Sequence, residues 1–183
     1  MPLHSDAEIL LAFQEPAKKE SAFTQLVRKY QERLYWHVRR MVVVHDDAND
    51  VIQNVWIRVW KGLENFRSDS QLYTWLYRIA TNECLSFLDQ QKRKGAVSLD
   101  QEGGVNLSEQ VRAEQYFDAD KAEWKLQLAI QALPEKQKLV FTLRYYDEMP
   151  YEEMSRVLET SEGALKASYH HAVKKVEDYL LNR

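Results

Sequence analysis

The feature that most constrains this chain is the persistence of one spacing. From residue 9 to residue 94, and again from 121 to 181, apolar residues recur at intervals of three and four, the period that lines one face of an α-helix. Alternating runs of the kind that make half-buried strands are missing. Only 5 Gly and 4 Pro occur in 183 residues, too few for a turn-rich β architecture. The expected fold class is all-α.

Four helices are expected in the first half. Ser5 and Glu8 form a capping box ahead of Ile9, Leu10 and Phe13. A longer stripe from Ser21 runs through Phe23, Leu26, Val27, Tyr30, Leu34, Val38, Met41 and Val42. Asp46 or Asp47 can cap a third helix with Val51, Ile52, Val55, Trp56, Val59, Trp60 and Leu63 inward. A fourth is expected from Asp69 or Ser70 to Gln91, with Leu72, Trp75, Leu76, Ile79, Cys84 and Phe87 facing the core. In the last third, Trp124, Leu128 and Leu133 precede Pro134, which suits the first turn of the next helix. A turn at Asp147–Pro150, a short helix Tyr151–Leu158 and the turn Glu159–Thr160–Ser161 then lead to a final helix, a helix-turn-helix pattern.

Charge divides the chain. The formal net charge is -3, but residues 1–94 carry about +2, residues 95–120 about -5 and residues 121–183 about 0. The middle segment holds three of the five glycines and no sustained stripe, so the reading is two small helical domains, 1–94 and 121–183, joined by a flexible acidic linker, 95–120. A single cysteine, Cys84, forms no internal disulfide and reads as a small buried hydrophobe. No Cys/His set has zinc spacing, so no metal or cofactor is expected. No apolar run reaches membrane-spanning length and the first residues lack a basic secretory n-region, so a cytoplasmic protein without membrane insertion is expected.

The faces left outside the stripes carry the functional signal. On the third helix Asp50, Gln53, Asn54 and Ile57 cluster, one apolar residue among polar ones. On the fourth, Tyr73, Thr74, Tyr77, Arg78, Thr81 and Asn82 share a face, preceded by the loop Phe66–Ser70. Aromatic rings interleaved with Arg and amide groups suit unpaired bases, which stack while cations and amides meet phosphates and base edges. The same pattern also fits the rim of a core with amphipathic tyrosines. On the last helix Gly163, Lys166, Ala167, His170, His171 and Lys174 lie opposite Leu165, Tyr169, Ala172, Val173, Val176 and Leu180, with no acid from Gly163 to Val176. Small residues, phosphate-holding cations and base-edge donors are what a recognition helix needs in a major groove, though a solvated basic face reads alike. Adjacent His170 and His171 point about 100° apart on a helix, a poor arrangement for one metal.

The stretches DDANDVIQNVWIRVWKGLENFRSDSQLYTWLYRIATNECLSFL and LPEKQKLVFTLRYYDEMPYEEMSRVLETSEGALKASYHHAVKKVEDYL together resemble the second and fourth conserved regions of the extracytoplasmic-function (ECF) sigma factors of the sigma-70 family. The order of the regions and the acidic connection resemble that family as well. The resemblance implies that Asp50, Gln53, Asn54 and Ile57 dock on core RNA polymerase. It implies that Phe66, Arg67, Asp69 and Ser70, with Tyr73, Tyr77 and Asn82, bind the minus-ten element, and that Lys166, Ala167, His170, His171 and Lys174 bind the minus-thirty-five element. Implied partners are core polymerase, promoter DNA and an anti-sigma factor; implied catalytic residues are none. Asn54 stands where many members carry an acid, Pro150 replaces a common serine, and Lys166, Ser168 and His171 stand where arginines are frequent. Lysine lacks the bidentate fork that reads guanine, so the promoter sequence read here is expected to differ. The rival readings are a helix-turn-helix regulator with an N-terminal sensor half and a nuclease, the latter requiring a metal-binding carboxylate cluster.

Overall fold

A computed structural model of the chain describes residues 5–98 and 121–182. The acids Asp100, Glu102, Glu109, Glu114, Asp118 and Asp120 of the expected linker lie outside the described residues. Among those described, the secondary structure is helical: α1 (Asp6–Phe13), α2 (Lys19–Val42), α3 (His45–Leu63), α4 (Leu72–Ser98), α5 (Lys121–Gln131), α6 (Glu135–Tyr145), α7 (Tyr151–Leu158) and α8 (Glu162–Leu181). Helices α1–α4 pack as one bundle and α5–α8 as a second layer around α8.

Local chemistry explains most element ends. The Ser5 hydroxyl accepts from the Glu8 N–H while the Glu8 carboxylate accepts from the Ser5 N–H, so α1 starts with a complete capping box. Pro134 and Pro150 stand immediately before α6 and α7, and the Ser161 hydroxyl accepts from the Ala164 N–H to cap α8. The start of α3 departs from expectation: Val44 is the N-cap residue, and neither Asp46 nor Asp47 caps it. The cause is the chain reversal before it, where Val43 takes φ 73° and ψ -51° and the Val44 N–H donates to the Val42 carbonyl at 3.0 Å. This is a strained γ-turn that starts the helix two or three residues earlier than a cap at Asp46 or Asp47 would. Both aspartates therefore sit inside the first turn, where the helix dipole favours them. Helix α4 also begins later than expected, at Leu72, and continues past Gln91 to Ser98.

The bundle core holds Ile9, Leu26, Leu34, Val38, Val51, Val55, Val59, Leu72, Leu76 and Cys84, all buried. Phe13, Phe23, Trp56 and Trp60 join α1, α2 and α3 by edge-to-face contacts, with Phe23 and Trp60 centroids 4.9 Å apart. Gly62 lets α3 and α4 approach: a Cβ there would lie 2.9 Å from Trp75 Cζ2. A smaller cluster of Ala129, Ile130, Leu133, Phe141, Ala172 and Val176 holds α5, α6 and α8 together.

The two halves are also packed on each other. Leu139, Val140, Leu143, Met149, Met154, Val157 and Leu165 belong to the same continuous apolar core as the N-terminal bundle, through α6 against α2 and α7 against α4. Three of the six polar residues expected on the outer face of α4 are consequently inside: Thr74, Tyr77 and Thr81 are buried, whereas Trp75 and Ile79, expected inward, are only partly covered. Of the apolar stripe, Leu72, Leu76 and Cys84 are in the bundle core as expected. The stripe could not register a second partner that covers the more polar face.

Candidate nucleic-acid interface

Three groups of residues were marked by the sequence, and the structure puts them on three separate surfaces. The first lies on α3. Val51, Val55 and Val59 anchor the helix in the core, which turns Asp50, Gln53, Asn54 and Ile57 outward. Ile57 is 52% exposed, an apolar centre in a polar patch. Beside it, Arg58 pairs with Glu83 of α4, and a cleft lined by Val51, Asn54, Glu83, Phe87 and Arg93 separates the helices. The surface suits a protein partner whose contact combines a hydrogen-bonding rim with one apolar insertion.

The second group is the connection between α3 and α4. Phe66 is partly buried, its ring 5.1 Å from that of Trp75, which itself rests against Gly62. Arg67 and Asp69 are exposed, and Ser68 between them has φ 58°, a bend that turns the loop outward. An open cleft runs beside the loop, bounded by Leu10 and Leu11 of α1, by Asp69 and Ser70, and by Arg156 of α7. On α4, Asn82 is exposed. Tyr73 is half-buried, with the Arg33 guanidinium 5.2 Å from its ring centre and the Tyr77 ring 4.7 Å away.

Tyr77 is placed differently from its neighbours. It is 0% exposed, and its hydroxyl donates to Asp147 Oδ1 at 3.2 Å, from the turn between α6 and α7. Burial pushes its phenol pKa up, and the Asp147 charge pushes it further. Asp147 Oδ2 lies 3.3 Å from His37 Nδ1, and His37 Nε2 lies 3.1 Å from Thr81 Oγ1. A carboxylate only accepts, so Nδ1 carries a proton toward Asp147, while Nε2 and the Thr81 hydroxyl share the second hydrogen bond. Arg40 completes the group at 3.7 Å from Asp147 Oδ1, its guanidinium also stacked 4.2 Å from the Tyr146 ring centre. His37, Arg40 and Asp147 were not marked by the sequence, since 110 residues separate His37 from Asp147 and no local spacing links them.

The third group lies on α8. Leu165, Ala172 and Val176 face inward, and Lys166, Ala167, His170, His171 and Lys174 face solvent. Gly163 has nothing within 4 Å of a would-be Cβ, so the start of the helix presents a smooth, open surface. Lys166 Nζ lies 3.6 Å from Glu162 and 5.6 Å from the Tyr151 ring centre, which holds the ammonium close to the helix start. Among the described residues no group of three or more His, Cys, Asp or Glu side chains is arranged to hold a metal ion, and no helix is long and apolar enough to cross a membrane.

Residues 26–94 match the family description Sigma-70 region 2, and residues 123–176 match Sigma-70, region 4. The chain belongs to the sigma-70 family, within its ECF group. It is 30% identical over 166 residues to the ECF RNA polymerase sigma-E factor of Escherichia coli (strain K12), covering 87% of this chain and 86% of that protein. Its identity to the RNA polymerase sigma-H factor of Pseudomonas aeruginosa is 31% over 166 residues, with the same coverage, 87% and 86%. Two solved structures share the fold. The sigma factor RpoE of Bartonella quintana, in complex with the anti-sigma factor NepR, has a TM-score of 0.66 at 21% identity, covering 86% of this chain and 96% of that one. CnrH in complex with the cytosolic domain of CnrY has a TM-score of 0.67 at 22% identity, covering 96% and 97%.

Proposed function

We propose that this sigma factor docks on core RNA polymerase through Asp50, Gln53, Asn54 and Ile57, and reads promoters with two separate units, residues 1–94 and 121–183, joined by residues 95–120. The observation that carries the docking assignment is the exposed Ile57 inside its polar patch on a helix whose other face is locked in the core. The loop Phe66, Arg67, Asp69 and Ser70 takes an unpaired minus-ten base, braced from behind by Trp75, while Tyr73 stacks and Asn82 hydrogen-bonds beside it. Lys166, Ala167, His170, His171 and Lys174 enter the major groove of the minus-thirty-five element, where small residues permit approach and lysines hold phosphate.

The sigma factor contributes position and strand capture, and phosphodiester chemistry belongs to the polymerase, so it is not an enzyme on its own. It works where the polymerase works, in the cytoplasm. An anti-sigma partner is in keeping with the partners named for the two structural neighbours. The reading as a regulator with an N-terminal sensor is not favoured, because residues 26–94 match region 2.

Tyr77 belongs to the minus-ten group only after the halves part, since Asp147 and its surroundings cover it here. The chain has the reach for parting. Elements two duplex turns apart are separated by roughly 70 Å, and the 22 residues between Ser98 and Lys121 can extend to roughly 73–79 Å. The test of the docking face is the double variant Asp50→Arg/Gln53→Arg. Its helical circular dichroism should match that of the wild type while its capture by core polymerase is lost. Undiminished core binding by the folded variant overturns the assignment.

A further inference from the structure

Beside the docking face on α3 lies a cleft of about 470 Å³ that runs between α3 and the second half of α4. Asn54, one of the four docking residues, forms part of its wall, so the cleft opens directly off that face. Val51 and Phe87 give it an apolar lining, and the carboxylates of Glu83 and Asp89 stand there with the cation of Arg93. Glu83 is the deep group. Its side chain is 11% exposed, whereas that of Arg58, its ion-pair partner from α3, is 65% exposed. The pair is lopsided: a carboxylate kept mostly from water is attended by a guanidinium that stays largely in it. An ion pair with so exposed a member adds little to stability, so bracing α3 against α4 is a poor account of why a carboxylate stands at this depth.

We infer that Glu83 is a further polymerase-docking residue, and that the cleft receives a long cationic side chain, arginine or lysine, of core RNA polymerase. This rests on the reading of α3 as the polymerase-docking face. Arginine and lysine join an apolar stem to a charged head. Val51 and Phe87 suit the stem, Glu83 suits the head, and the Asn54 side-chain carbonyl can accept a further hydrogen bond from it. A neutral side chain in the same place would displace water from the Glu83 carboxylate without compensating its charge, and an acidic one would repel it, so the cleft selects by charge as well as by shape. In the free chain Arg58 holds the place of the partner's cation. Exchange of one cation for the other keeps the deep carboxylate paired throughout, and Arg58, already mostly hydrated, loses little on release.

The experiment follows association and dissociation of the full-length chain, fluorescently labelled, with core RNA polymerase. Glu83→Gln should bind about tenfold more weakly, with the loss in the dissociation rate, as when one member of a desolvated charge pair is removed. Arg58→Gln breaks the same internal ion pair but removes the competitor, so it should bind core a few-fold more tightly. A pair that only braces the two helices would make both variants behave alike. Ser86, exposed on α4 and lining the cleft, gives an independent probe. Ser86→Lys places a like charge in the path of the incoming cation and should weaken binding, whereas Ser86→Glu, also a long side chain, should strengthen it. Should Glu83→Gln fail to fold by circular dichroism, the two serine variants carry the test. The inference is overturned if folded Glu83→Gln binds core as the wild type does, if Arg58→Gln loses as much affinity as Glu83→Gln, or if both serine variants weaken binding equally. The double variant Asp50→Arg/Gln53→Arg separates this inference from the reading beneath it. Loss of core binding there, with Glu83→Gln unaffected, removes the cleft alone; undiminished binding there removes the docking face itself.

Discussion

Gly62→Ala offers the sharpest test of how the bundle supports the loop. Two opposing effects can be weighed from the structure. Replacing glycine by alanine inside a helix ordinarily stabilises by roughly 0.8–1.0 kcal/mol. The added Cβ, however, would lie 2.9 Å from Cζ2 and 3.3 Å from Cη2 of Trp75. The indole cannot yield freely, because it also packs against the Phe66 ring, 5.1 Å away between centroids, and against the bundle core. Overpacking of this kind costs about 1–3 kcal/mol, so the net effect is a loss of about 0–2 kcal/mol. For a chain of this size a 1 kcal/mol loss lowers Tm by about 2–4 °C. Gly95→Ala is the internal control: Gly95 lies in α4, with nothing within 4 Å of a would-be Cβ, so the same substitution should raise Tm there. Displacing Trp75 also displaces Phe66, so Gly62→Ala should weaken binding to a minus-ten single strand while leaving minus-thirty-five duplex binding alone. Thermal melts of both variants, with fluorescence anisotropy on the two DNA probes, measure each part. A rise in Tm for Gly62→Ala equal to that of Gly95→Ala would refute the steric argument.

Tyr73→Ala should cost about 1–3 kcal/mol of single-strand binding with no change on the duplex; equal losses on both probes would point to fold damage. Removal of Lys174 should reduce the slope of log affinity against log salt on minus-thirty-five duplex by about 0.9, and removal of Lys166 by less, because Glu162 already shares its charge. Stability should fall as pH rises above about 10, the value at which tyrosines of the unfolded chain ionise. Burial holds the Tyr30 and Tyr77 phenols protonated well beyond that pH, with Asp6 and Asp147 adding to the effect, so the folded chain keeps protons that the unfolded chain releases. Lys138 works in the opposite sense: burial lowers its pKa, so its destabilising charge disappears as pH rises. Chemical denaturation of Tyr77→Phe across pH 8–11 should show a shallower alkaline decline than wild type.

What the sequence determined by itself was everything carried by neighbours three and four residues apart. Helix α7 falls on Tyr151–Leu158 as its pattern implied, the capping box at Ser5 and Glu8 forms as spaced, and the stripes on α3 and α8 bury Val51, Val55, Val59, Leu63, Leu165, Ala172 and Val176, while Leu180, marked inward, is exposed near the end of α8. The outward faces followed from those stripes, so Asp50, Gln53, Asn54, Ile57 and the α8 residues stand where the period put them. The start of α3 escaped this reading because a γ-turn at Val43, not an aspartate, fixes where it begins. The second covered face of α4 escaped it for a deeper reason. Thr74, Tyr77 and Thr81 are polar enough to satisfy water, so no periodicity distinguishes a solvated face from one awaiting matched donors and acceptors. Only the approach of α6 and α7 decides it, by bringing Asp147 to His37 across 110 residues and Glu153 to Thr74 across 79. A helix's own period records which side avoids water. Which polar side meets another polar side depends on shape and charge brought together by the whole chain.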